Sequence, residues 1–409
     1  MQRNPYFTKI SLNRASLWKD KGPLLGSLDM ELTERCNNSC IHCYINLPAH
    51  DLIARERELS TEDIKGILGE AASLGCLSVR LTGGEPLLRE DFEELYLFAR
   101  KLGLKVLLFT NAALITPRLA DLFVSIPLLE KIEISFYGLK KESYEAVTRI
   151  PGSFDAAWRG IHLLLERKVP FIVKSALLPP NKDEVEKFEA WASTLPWMDR
   201  PPSYSMFLNL RCRRDSEEKD SLIKKLRISP EEGLKILAKK QGKYLDETKE
   251  FCSKFMGVPG EKLFSCGAGI GGGCVDAYGY FQPCMELRHP DTVYDVKKGS
   301  LKDALVNFFP KIREMKATNP EYLRRCARCF LKGLCEQCPA KSWMEHGTLD
   351  TPVEYLCEIA HVQAIYLGLI KEGERAWEIS NWQERIGHFV GMKPMLKQMS
   401  EAEVSCICR

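Results

Sequence analysis

Three cysteines, Cys36, Cys40 and Cys43, stand at C-x3-C-x2-C spacing directly after an apolar, β-rich run. Three thiolates on one loop can wrap a single iron-sulfur cluster, and three protein ligands leave one iron of a four-iron cube open to a substrate or cofactor. A fully ligated electron carrier has no such position. The same spacing also suits a structural zinc site or buried free thiols. Further on, Gly83-Gly84-Glu85-Pro86 ends a second β-rich run. Two glycines permit close backbone approach, and a carboxylate there can receive an ammonium group. By itself that tetrapeptide is an ordinary turn.

A second group of cysteines lies in the last third of the chain. It comprises Cys266, Cys274, Cys284, the run Cys326-x2-Cys329-x5-Cys335-x2-Cys338, and Cys357. Several thiolates can converge on metal here too, and four-cysteine zinc and iron-sulfur sites look alike in sequence. Asp276 and Glu286 flank the first part of this group and could take a proton from a substrate, although each equally suits a solvated turn. Cys76, in a helix-to-strand connection, reads as a buried thiol, while Cys212 and Cys252 have no partners at metal spacing and read as core or surface thiols. Cys406 and Cys408 could ligate a cluster, relay redox equivalents or belong to an unstructured tail.

The elements that must hold these residues alternate. Strand-like runs at 25–33, 78–82, 105–111, 131–137, 171–178 and 203–210 are separated by helix-patterned stretches. One such stretch opens on Ser60-Thr61-Glu62-Asp63, the signature of a capping box. Parallel strands need helical crossovers, so this alternation predicts an α/β domain, an open or partial barrel with chemistry at the C-terminal strand ends. The expected organisation is an N-terminal extension over 1–24, the barrel over 25–214, a Lys-rich helical bridge over 215–264, a Cys-rich segment over 265–360 and a helical tail over 361–409. The Cys-rich segment has weak periodicity and many turns, and is expected to need metal crosslinks rather than a conventional core.

With 409 residues and 45% hydrophobic content the chain can bury one large core and a smaller satellite. Its net charge of +3 points to neither a nucleic-acid footprint nor a membrane surface. No apolar run approaches the roughly 18 residues of a membrane span, and the N-terminus does not read as a signal peptide. Sixteen cysteines in a long chain without an export signal suit a reducing cytoplasm better than a disulfide scaffold.

The cysteine loop after the first strand and Gly83-Gly84-Glu85-Pro86 after the second together resemble the radical S-adenosylmethionine (SAM) superfamily. The resemblance implies a partial (β/α)6 TIM-like barrel with SAM bound through its amino and carboxylate groups to the open iron. It also implies a ribose contact from Ser135, in Ile134-Ser135-Phe136-Tyr137-Gly138, and a carboxylate contact from Arg149, which precedes Pro151-Gly152-Ser153-Phe154. Three positions depart from the family pattern. His42 stands where an aromatic residue stacks near the adenine, Tyr137 replaces the Asp of Ser-x-Asp-Gly, and Thr110-Asn111-Ala112 replaces Thr-Asn-Gly.

The later cysteines resemble the SPASM extension of that superfamily, with two residues rather than three between Cys335 and Cys338. The extension implies two auxiliary four-iron clusters and hence three [4Fe-4S] clusters in all. By that wiring Cys266, Cys284 and Cys338 hold the first auxiliary cluster, with Cys274 as a candidate fourth ligand. Cys326, Cys329, Cys335 and Cys357 hold the second. The implied chemistry is reductive cleavage of SAM to a 5′-deoxyadenosyl radical and oxidative modification of a peptide or protein. An electron donor such as flavodoxin or ferredoxin, and a separate leader-binding protein, are the implied partners. The alternatives are a small-molecule enzyme of haem or other cofactor biosynthesis, and a non-enzymatic iron-sulfur or zinc scaffold.

Overall fold

The computed structural model describes residues 24–391. The N-terminal extension up to residue 23 and the Cys406 and Cys408 pair lie outside the described residues. Eleven strands are present among those described. They are β1 (Ser27–Thr33), β2 (Arg35–Cys36), β3 (Leu47–Pro48), β4 (Ser78–Gly83), β5 (Lys105–Thr110), β6 (Leu129–Ser135), β7 (Phe171–Ala176), β8 (Ser203–Ser205), β9 (Gly272–Val275), β10 (Tyr280–Gln282) and β11 (Tyr294–Asp295). Nine of them form one sheet in the order β11-β10-β9-β1-β4-β5-β6-β7-β8. The six strands from β1 through β4 to β8 are all parallel and give the partial barrel that the alternating pattern predicts.

Alternation within each strand explains the two faces of this sheet. In β5 Val106, Leu108 and Thr110 are buried, whereas Leu107 and Phe109 are only half-buried. The buried face packs on crossover helices such as Thr61–Ser73, whose Ile64 and Leu68 are fully buried. Each such side chain contributes about 1.5–3 kcal/mol on leaving water. The half-buried face lines the lumen, which is not filled at its C-terminal end. The helix Thr61–Ser73 starts where the sequence places it, because Ser60 and Asp63 form a reciprocal capping box.

The C-terminal region differs from its expectation. β9 pairs in parallel with β1, aligning Leu28 with Gly273, and β10 and β11 extend the sheet in antiparallel fashion. Phe281, Leu301 and Phe309 from this region are fully buried and join the core of the barrel. A smaller cluster around Phe330, Leu331, Ala364 and Leu369 sits under the later cysteines. The segment borrows a core by adding strands to β1, and strands of two to four residues are too short for an alternating pattern to be read from sequence. Helices at Glu217–Leu226, Pro230–Leu237 and Gln241–Phe255 occupy the Lys-rich stretch after β8. Among the described residues no helix is long and apolar enough to cross a membrane.

Candidate active site

The cysteine loop is held at the C-terminal end of β1 by backbone bonds from three directions. β2 carries Cys36 and pairs with β3. The N–H groups of Ser39 and Ile41 donate to the carbonyls of Thr148 (2.9 Å) and Val147 (3.0 Å), so the loop satisfies the open C-terminal end of the helix Lys141–Thr148. Gly84 donates to the Thr33 carbonyl at 2.7 Å and Glu85 to that of Arg35 at 2.9 Å. A Cβ on Gly83 would lie 2.1 Å from the Thr33 oxygen, and one on Gly84 would lie 2.3 Å from that of Arg35. These glycines therefore let the turn after β4 close onto the chain that leads into the cysteines.

The loop faces a cavity of about 890 Å³. Cys36, Cys40 and Cys43 line it, together with the Gly83-Gly84 backbone and Ser135 at the end of β6. Asn38, His42, Asn111 and Tyr137 complete that end. The Cys36 sulfur accepts from the Asn38 N–H at 3.3 Å and from Asn111 Nδ2 at 3.8 Å, and Cys40 lies 3.9 Å from the Tyr137 hydroxyl. Burial and the neighbouring Cys43 thiol push Cys40 up to about 12. Such thiols ionise only with a strong positive partner, which the irons of a cluster supply.

Three further observations bear on whether the residues fit a cluster with SAM. Both polar atoms of the Asn38 side chain and Nδ1 of His42 are buried without a hydrogen-bond partner among the described residues, beside the three sulfurs. Burial holds His42 down at about 4, so its ring is neutral and stands edge-on to Tyr137 with centroids 5.2 Å apart. Among the described residues no group of His, Cys, Asp or Glu is gathered tightly enough for a single metal ion. A cluster holds its sulfurs further apart, because each binds a different iron. The donor set fits.

Several residues singled out in the sequence sit elsewhere than the resemblance implies. Glu85 is fully buried, and its carboxylate accepts from the Leu87 N–H (3.1 Å), the Thr110 hydroxyl (2.8 Å) and the Asn111 N–H (2.8 Å). Burial raises it to about 7, and it ties the turn of Pro86 to the end of β5 while only the glycine backbones line the cavity. Arg149 is the left-handed C-cap of the helix Lys141–Thr148 (φ 59°), is exposed, and does not line the cavity. The capping position turns it outward. Ala112, where glycine is usual, also has a left-handed backbone (φ 62°), which explains the glycine.

Asp276 is equally committed. Its Oδ1 accepts from the N–H groups of Tyr278 and Tyr280 at 2.9 Å, and its Oδ2 accepts from Arg213 (2.6 Å) and Gln282 (3.2 Å). It belongs to a buried network in which Arg288 Nη2 reaches both oxygens of Glu31 at 2.6 and 2.7 Å, and Arg213 also binds Glu34 at 2.6 Å. Three carboxylates thus face two guanidiniums, joining β1 to the C-terminal region. Glu286 does line the cavity, accepting from Asn209 Nδ2 at 2.7 Å, with Lys341 Nζ at 3.3 Å. Asn111 belongs to the Thr110-Asn111-Ala112 motif, whereas Asn38, Asn209 and Lys341 carry no sequence signal that would have singled them out.

The later cysteines fall into groups. Cys284 and Cys338 are neighbours, since burial and the Cys338 thiol push Cys284 up to about 12. Cys326, Cys329, Cys335 and Cys357 form a second set, because Cys326 is raised by burial and by the Cys357 and Cys329 thiols, and Cys335 by burial and by all three others. Cys266 is exposed beside Lys332. Cys274 is fully buried in β9, next to Glu31, Asp29, Arg288 and Asp276, and outside the cavity. Its strand position aims it at the ion network.

Comparison with known proteins agrees with this geometry. Residues 30–192 match the Radical SAM superfamily. The chain is 26% identical over 349 residues to the AdoMet-dependent heme synthase of Methanosarcina barkeri, covering 78% of this chain and 92% of that protein. It is 33% identical over 171 residues to the mycofactocin maturase MftC of Mycolicibacterium smegmatis, covering 41% of each. Among solved structures, native anSMEcpe with bound AdoMet and the Cp18Cys peptide superposes with a TM-score of 0.56 at 18% identity, over 84% of this chain and 97% of that one. That likeness of fold extends well beyond residues 30–192. A three-thiol loop, a two-glycine turn and a partial barrel thus converge on one cavity, with the loop and the turn inside residues 30–192, the part of the chain that matches the Radical SAM superfamily.

Proposed function

We propose that this enzyme oxidatively modifies a side chain of a peptide or protein, by a crosslink or a desaturating oxidation. Cys36, Cys40 and Cys43 would hold a four-iron cluster, which together with SAM would supply a 5′-deoxyadenosyl radical able to take a hydrogen atom from an unactivated C–H bond. Ser135 meets the ribose, His42 stacks beside the adenine, and the Gly83-Gly84 backbone receives the amino group. Cys326, Cys329, Cys335 and Cys357 hold one auxiliary cluster, and Cys284 and Cys338 contribute to another with Cys266. Glu286, Asn209 and Lys341 form the polar wall that meets the substrate. A flavodoxin or ferredoxin delivers the electron, and a separate protein presents the leader of the peptide.

The observation that carries this reading is the extent of the cavity. It runs from the three sulfurs past Leu208 and Asn209 to Tyr244 and Phe251 on the helix Gln241–Phe255 and Gln363 on the helix Glu354–Tyr366. That leaves room beyond SAM for an elongated, largely apolar substrate. The likeness to a peptide-bound structure supports it. A second reading, a tetrapyrrole or related small molecule, is favoured by the match along almost the whole of the Methanosarcina barkeri heme synthase. Incubating the reconstituted enzyme with SAM and reductant, and with either short peptides encoded near its gene or an iron porphyrin, separates the two. A peptide that loses hydrogen in step with 5′-deoxyadenosine supports the first, and an iron porphyrin that is modified in step with it supports the second.

A further inference from the structure

β8 is the last strand of the sheet on its side, so one of its edges is open. Leu177 donates to the Ser205 carbonyl at 2.9 Å, and Ser203 and Ser205 pair with Lys174 and Ala176 of β7. In a parallel pair alternate residues direct both main-chain groups to the same neighbour. Tyr204 and Met206 therefore present theirs to the open edge. From Met206 the chain continues without helix or strand through Leu210 and bends at Phe207. Among the described residues nothing accepts from the N–H groups of Met206 to Leu210, and nothing donates to the carbonyls of Met206, Phe207 or Asn209. The Leu208 carbonyl is taken by Arg227 at 2.9 and 3.0 Å.

The residues from Tyr204 to Asn209 all line the active-site cavity. The sequence of 203–210 has strand character throughout, yet only 203–205 has a partner. Paired backbone is the rule for buried chain, so a strand-competent segment with open N–H groups in a cavity lacks its ladder.

We infer that the edge formed by Tyr204 and Met206 is a docking strip on which the substrate binds as an extended peptide, adding a strand beside β8. The inference rests on the peptide reading above and specifies how that peptide is held. An extended peptide offers N–H and C=O groups alternating at strand pitch, which neither a porphyrin nor a nucleotide can present. Its successive side chains point to opposite faces, so every second one is directed toward the lumen that holds Cys36, Cys40 and Cys43. Main-chain pairing supplies affinity with little demand on sequence, while the cavity walls at Glu286 and Phe207 select the residue to be modified.

The test uses the reconstituted holoenzyme with S-adenosylhomocysteine and a displayed library of random dodecapeptides. A selected peptide is resynthesised with each amide N-methylated in turn. The strip predicts a period of two, with methylation at alternate positions weakening binding tenfold or more and the interleaved positions within twofold. Met206→Pro, which removes one edge N–H, lowers affinity for the same peptide to a similar degree. Hydrogen exchange at Tyr204 and Met206 slows when the peptide binds. Because the N-methyl scan alters only the peptide, it stands even if the proline variant does not fold. A bound peptide with no two-residue period overturns the strip and leaves the peptide reading in place. Failure to select any peptide, with binding of an iron porphyrin instead, overturns the peptide reading itself and the strip with it.

Discussion

Gly84 donates its N–H to the carbonyl of Thr33 at 2.7 Å, so the turn after β4 is bolted to the end of β1 directly before the cysteine loop. The contact is so close that a Cβ on Gly84 would meet three backbone atoms of Glu34 and Arg35 within 2.7 Å. The two motifs that mark the family are thus one mechanical unit.

Gly84→Ala is expected to destabilise the fold by about 1–3 kcal/mol through overpacking against backbone that cannot yield. The displaced cysteine loop is expected to lower cluster iron per chain after reconstitution. Urea unfolding and iron counting on one preparation check both effects.

Arg288→Met is expected to cost about 3–5 kcal/mol, because Arg288 is 1% exposed in side chain and its removal strands the buried Glu31 charge. The double variant Arg288→Met/Glu31→Leu is expected to recover much of that loss. Equilibrium unfolding of the two variants and the parent measures the coupling.

The ion network also sets a pH dependence. Burial, opposed by Arg288, raises Glu31 from 4.5 to about 7, which suits three carboxylates facing two guanidiniums. Between about 4.5 and 7 the folded state holds a proton that the unfolded state has released. Its contribution to stability is therefore complete below about 4.5 and is lost as pH rises toward 7. Glu31→Gln is expected to flatten this part of the stability profile, read as the unfolding midpoint in urea from pH 5 to pH 8. A parent profile that rises over that window contradicts the assignment.

Arg149 and Ser135 make a paired prediction for SAM binding. Ser135→Ala is expected to weaken S-adenosylhomocysteine binding by roughly two- to tenfold, the worth of one hydrogen bond. Arg149→Ala is expected to stay within twofold, since Arg149 is exposed and does not line the cavity. Calorimetric titration of reconstituted protein decides it.

Features carried by contiguous residues were legible in the sequence. The C-x3-C-x2-C loop, the two glycines and the Ser60 capping box are local patterns, and the six parallel strands follow from repeated alternation. Features set by tertiary placement were not. Nothing local distinguishes the cavity-lining Glu286 from the fully bonded Asp276, because the difference lies in Arg213, 63 residues before Asp276 in sequence. Cys274 looks like a ligand by type, yet β9 turns it toward Glu31. Strands β9 to β11 were too short to announce themselves. The strand signal of 203–210 outruns the three residues that are paired, a mismatch visible only once β8 is seen at the edge of the sheet.

The central claim is that Cys36, Cys40 and Cys43 hold a SAM-cleaving cluster and that the later cysteines hold others. The most direct test is to purify the chain without oxygen, reconstitute it, count iron and sulfide, and assay dithionite-dependent formation of 5′-deoxyadenosine from SAM beside the variant with all three cysteines changed to Ala. The account predicts about twelve irons per wild-type chain, about four fewer in the variant, and cleavage that the variant abolishes. Zinc in place of iron, or no cleavage by fully loaded wild type, would contradict it.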